Sequence, residues 1–85
     1  MTSLHINGTE YRKGEPPAIG WWPTLTGESE FPLIRWWNGM CWSVGANEKH
    51  DKHYAERCAR SPAPVPDRQI HWADRPAHWP EWSRT

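Results

Sequence analysis

The chain has 85 residues, eight of them tryptophan, and its ten Lys and Arg are balanced by ten Asp and Glu. That length allows a single domain, residues 1–85, and the zero formal charge weighs against gripping a nucleic-acid backbone or an anionic membrane, since both need clustered positive charge. Two cysteines make no disulfide framework, and no apolar run is long enough to span a bilayer.

A chain this short buries a smaller share of its surface than a larger domain does. Tryptophan offsets this, because each indole can bury about 150–250 Å². With no signal peptide read at the start, the expected setting is the cytoplasm, with both thiols free.

In chain order, 4–12 (LHINGTEYR) reads as a hairpin, with Asn7-Gly8 as a two-residue type I′ turn. Ile6 then stands opposite Thr9 and Leu4 opposite Tyr11. Two prolines in 13–18 end that ribbon. Residues 19–22 (IGWW) form a short strand, and 23–30 (PTLTGESE) a polar loop. Residues 31–44 (FPLIRWW-NG-MCWSV) read as a second hairpin on Asn38-Gly39. Side chains alternate along a strand. Leu33, Arg35, Trp37, Met40, Trp42 and Val44 therefore share one face, and Ile34, Trp36, Cys41 and Ser43 the other. In this register Arg35 lies across from Trp42, close enough for a cation–π contact. Each Trp-Trp doublet puts an indole on both faces, so the second face needs a cover from this chain or from a partner.

Residues 47–60 (NEKHDKHYAERCAR) read as a helix capped by Asn47, with Glu48 in its first turn, Pro62 beyond its end, and a narrow stripe of Tyr54, Ala55, Cys58 and Ala59. In 61–85, SPAPVP is extended, RQIHW offers an edge strand, and Trp72, Trp79 and Trp82 lie in a proline-interrupted tail. The tail either wraps over the sheet or serves as a docking peptide. Wrapping is favoured, because three exposed indoles invite aggregation. The expected fold is α+β: an antiparallel sheet of three to five strands with two Asn-Gly hairpins in 1–45, one helix in 47–60, and a wrapping tail in 61–85. Trp21 or Trp22, one of Trp36 and Trp37, and Trp42 are expected to be buried, with at least two other tryptophans partly exposed.

The pattern Gly20-Trp21-Trp22, a loop, then Arg35-Trp36-Trp37-Asn38-Gly39 followed by Trp42-Ser43 resembles small Trp-rich proteins of bacteriophages and prophages of Gram-negative hosts. A related pattern occurs in a short actinobacterial domain of unknown function. The departures from that domain are Thr24-Leu25, where it has an acidic residue and Pro, and the stretch after Gly45. The resemblance implies an accessory protein that acts in the cytoplasm of the host bacterium and binds and inhibits or modulates a host protein. Anti-CRISPR proteins are one such class, with a CRISPR–Cas effector as the partner.

Chemistry-bearing constellations are few. Cys41, His50, His53 and Cys58 are the ligand types of a tetrahedral zinc site, but no Cys knuckle is present and the spacing fits no standard finger. A Cys58–His pair lacks a third, orienting group. With no phosphate loop, HExxH or paired carboxylates either, the reading is of a non-enzyme with no metal or cofactor. The contact residues expected from aromatic and basic character are Arg35, Trp36, Trp37, Trp79, Trp82, Lys49, Lys52 and Arg57. Two alternatives stay open. One is single-stranded nucleic-acid binding by Trp stacking with the helix basics, which the neutral charge weighs against. The other is a homodimer or larger structural assembly that buries the second Trp face. Trp beside Pro also suits modules of the WW and GYF type, whose signatures fit only the doublet.

Overall fold

Adjacent tryptophans on a strand must point to opposite faces, and the central strand is built on that constraint. The computed structural model describes residues 4–6, 8–26, 31–47 and 49–76. Its elements are β1 (Leu4–Ile6), β2 (Thr9–Tyr11), β3 (Gly20–Thr26), β4 (Leu33–Trp37), α1 (Lys52–Ala59) and β5 (Ile70–Trp72). The fold is α+β: β1 and β2 form a two-stranded antiparallel sheet, and β4-β3-β5 a three-stranded one. Among the described residues no helix is long and apolar enough to cross a membrane.

In the three-stranded sheet Trp21 pairs with Trp36, Trp22 with Arg35, and Thr24 with both Leu33 and Trp72. One face therefore carries Trp21, Pro23, Leu25, Ile34, Trp36 and His71. The other carries Trp22, Thr24, Leu33, Arg35, Trp37, Ile70 and Trp72. Each face has its own cover. Helix α1 lays Ala55 and Ala59 on Trp21, Ile34 and Trp36. Further along the same face, Leu4, Ile6 and Tyr11 of the β1–β2 ribbon pack on Leu25 and Ala73. On the opposite face Trp42, 2% exposed, joins Trp22, Trp37, Ile70 and Trp72, and Ala63 and Val65 pack against them. Both Trp faces are thus covered from within the chain, all but the part of Trp36 that stays exposed.

Both sheet edges are also occupied, which limits edge-to-edge pairing. Ile34 exchanges backbone hydrogen bonds with Ala46 (2.7 and 2.8 Å) outside β4. Arg12 does the same with Trp72 (2.8 Å each way) outside β5. The β1–β2 register is Leu4 to Tyr11 and Ile6 to Thr9, matching the alternation in the sequence. Asn7 of that turn lies outside the described residues, as do Glu48 and residues 77–85 with Trp79 and Trp82.

Three expectations are corrected. Residues 23–26 are not loop but the second half of β3, with Pro23 inside a central strand. A proline is tolerated there because its partner Ile34 turns its N–H and C=O outward to Ala46, so the ladder asks no donor of β3 at that pair. On the other side Pro23 faces Ala73, one residue past β5: its carbonyl accepts from Ala73 N–H at 3.0 Å, and the return bond that a proline cannot donate falls beyond the end of that strand.

The connection after β4 is a four-residue loop, not a two-residue turn: Trp37 bridges Trp42, and Arg35 is not opposite Trp42. Asn38 makes the difference. Its Oδ1 accepts from the N–H of Met40 (2.7 Å) and of Cys41 (2.8 Å), an Asx turn that lengthens the loop. Gly39, at φ +96°, supplies the left-handed residue. Of residues 40–44 only Trp42 and Ser43 then make isolated bridges, Ser43 with Pro62.

Helix α1 starts four residues later than expected, cap to cap. Asp51 is its N-cap, accepting from Tyr54 N–H at 2.9 Å. Asn47 instead closes a separate turn, accepting from Lys49 N–H while its own N–H donates to His50 Nδ1 at 3.1 Å.

Candidate functional site

The two pairing rules of the sheet place Trp21 and Trp36 side by side under α1. Their rings meet edge to face, 5.3 Å between centroids. The helix residues above them are Ala55 and Ala59, whose short side chains leave a groove of about 340 Å³. Its floor is Trp21 and Trp36, and its rim is Lys52, Glu56 and Arg60 from one side of the helix. A smaller cleft of about 130 Å³ shares Trp36, Ala59 and Arg60 and continues toward Cys41 and Ser43. The two form one trough with Trp36 between them. A larger concavity of about 550 Å³ lies between the β1–β2 ribbon and residues 74–76. Its charges are already matched in part, Arg12 pairing with Asp74 at 3.3 Å, and it adjoins residues outside the described set.

The expected contact residues separate. Trp36 is partly exposed and lines both parts of the trough, and Lys52 stands on its rim. Arg57 leaves the groove and lies over the Tyr54 ring (5.7 Å) on another side of α1, while Lys49 is exposed ahead of the helix. Trp37 is buried against Trp42, their rings 5.1 Å apart. Arg35 is 5% exposed and donates from Nη1 to the Ser43 carbonyl at 2.8 Å. Neither Trp37 nor Arg35 offers a contact surface, because both sit on the sheet face that Trp42 closes. Both Trp21 and Trp22 are buried, where one was expected. Sequence reasoning missed Trp21, Ala55, Glu56 and Ala59 as groove residues. The signal it could have used is the four-residue spacing of Lys52, Glu56 and Arg60, which puts them on one side of a helix.

Burial controls the remaining chemistry. It pushes the Cys58 thiol up, against the smaller opposing effects of a Tyr54 hydrogen bond and the Arg57 charge. A thiol held protonated is a poor nucleophile. Burial also pushes the Tyr11 phenol up and the Arg35 and Arg75 guanidinium groups down. Among the described residues no three of His, Cys, Asp and Glu come together as a metal site. Cys41 lies in the 38–41 loop, where its Sγ accepts from Asn38 Nδ2 at 3.4 Å.

Compared with protein-family models, curated proteins and solved structures, the chain matches none of them.

Proposed function

We propose that this chain is a binding protein that acts without catalysis and docks a partner protein through the α1–sheet groove. One observation carries the reading: Trp36 is partly exposed in a groove, while the other described tryptophans are buried. Tryptophan is among the residue types that most often dominate interface energies. A partly exposed indole beside exposed rim charges has the make-up of such a contact. The resemblance of the Gly20–Trp22 and Arg35–Ser43 segments to phage accessory proteins supports a host protein as the partner, with a bacterial defence component such as a CRISPR–Cas effector as the first candidate.

The test is capture of purified effector complexes on the immobilised chain, comparing wild type, Trp36→Ala and the exposed-loop control Met40→Ser. Retention by wild type and Met40→Ser, with loss by a folded Trp36→Ala, is the expected outcome. Equal retention by Trp36→Ala would remove the groove from the contact, and no retention would remove this partner.

A further inference from the structure

The groove's rim has a charge order that selects its occupant. Lys52, Glu56 and Arg60 follow one another at intervals of four residues, so each step is about 6 Å along the helix axis. All three are exposed, and none makes an ion pair or a side-chain hydrogen bond among the described residues. The rim is therefore positive at both ends, negative in the middle, and floored by indole and methyl groups.

That order is not self-complementary across the whole rim. A two-fold antiparallel pair centred on Glu56, or a parallel pair in register, opposes like charges, and one centred between Glu56 and either cation pairs those two across the axis but leaves the third rim charge outside the pairing. A nucleic-acid strand fits poorly as well, because its regularly spaced phosphates would bring negative charge against Glu56.

Resting on the reading of this groove as the contact surface, we propose that it takes an extended acidic segment of a partner protein, of pattern acid-x-apolar-x-acid. Lys52 and Arg60 are about 12 Å apart along the helix. In an extended chain, side chains i, i+2 and i+4 share one face and the outer two are about 13 Å apart. The outer carboxylates meet Lys52 and Arg60. The central apolar side chain sits on Trp21, Trp36, Ala55 and Ala59. Glu56 rejects a third carboxylate at the centre.

The test is a titration of the ¹⁵N-labelled full chain, followed by NMR, with capped peptides built on the cores Asp-Ser-Trp-Ser-Asp, Ser-Ser-Trp-Ser-Ser and Lys-Ser-Trp-Ser-Lys, and with an eight-nucleotide oligothymidylate. The Asp peptide should move the Trp36 indole N–H signal and bind about tenfold more tightly than the Lys peptide at low salt, with the difference shrinking at high salt. Lys52→Glu/Arg60→Glu, both exposed positions, should reverse the order, while the salt dependence tests the same charges without a variant. Equal binding of the three peptides at Trp36 would overturn the charge selection and leave the groove standing. If no peptide moves the Trp36 signal, the groove fails as a contact surface and the inference with it. Tighter binding of the oligonucleotide than of the Asp peptide would overturn the proposal in favour of a nucleic-acid strand.

Discussion

Replacing Gly20 by Ala tests how the segment after β5 is held to the central strand. Gly20 opens β3 at φ +147°, and a Cβ there would stand 2.7 Å from Arg75 Nη2. Arg75 reaches this point because its Nε donates to the Trp21 carbonyl at 2.8 Å and its guanidinium lies 3.9 Å above the Trp22 ring. A non-glycine residue in this backbone region costs about 1–3 kcal/mol. Displacing Arg75 loses a hydrogen bond of about 1 kcal/mol, taken low because the side chain is exposed. It also loses a cation–π contact of about 0.5–1 kcal/mol. Gly20→Ala should therefore cost about 2.5–5 kcal/mol, and Arg75→Ala alone about 1.5–2 kcal/mol, from the same contributions. Because the Cβ already removes the Arg75 contacts, the double variant should be no less stable than Gly20→Ala. Urea denaturation of the four proteins gives the cycle. Additive costs would show that Arg75 keeps its contacts beside the new methyl group, and the packing argument would be wrong.

Three other outcomes follow from the same geometry. Trp42→Ala should cost about 3–5 kcal/mol by emptying the closed core, and Trp36→Ala only about 1–2 kcal/mol, because part of its ring is already in water; equal losses by denaturant titration would contradict the two environments. Arg35→Met should leave stability within about 1 kcal/mol of wild type or raise it, since among the described residues Arg35 Nε is buried without a partner and no carboxylate pairs with the guanidinium; a loss above about 3 kcal/mol would show that the charge has an unrecognised role. Cys58 and Tyr11 have pKa values raised by folding from their ordinary 9.0 and 10.0, so above about pH 9 the unfolded chain gives up these protons first. Their contribution to stability is complete below those ordinary values and is lost as pH rises through the folded ones. Denaturation midpoints should fall from pH 8 to pH 10.5, and Cys58→Ala should flatten the first part of that fall.

Much of the local design is legible without a structure. Period-2 alternation alone puts the two members of each Trp-Trp doublet on opposite faces. The pairing of Leu4 with Tyr11 follows from a two-residue connection between the strands, and the strand at Ile70–Trp72 lies within the segment RQIHW. These depend on backbone geometry that every strand shares. Helix α1 is legible as an element but not in its start. Asn47 and Asp51 are both good capping residues, and the choice fell to Asp51 because residues 46 and 47 are tied to β4 and to His50. The same competition decided 38–41, where an Asn-Gly pair suits a two-residue turn but the Asn38 side chain closes a longer loop that seats Trp42 on Trp37.

Only the tertiary arrangement could admit Pro23 to a central strand. Proline argues against such a position until the pairing shows that β4 asks no donor there and that on the other side Pro23 faces Ala73, past the end of β5. It likewise decided which aromatic residues are core and which one is surface. Trp36 and Trp37 are adjacent and chemically identical. One lies under Trp42 and the other beside two alanines of a helix that is short of bulk. Composition counts indoles, but exposure depends on what the rest of the chain lays over each face, and that is set by contacts between residues far apart in sequence.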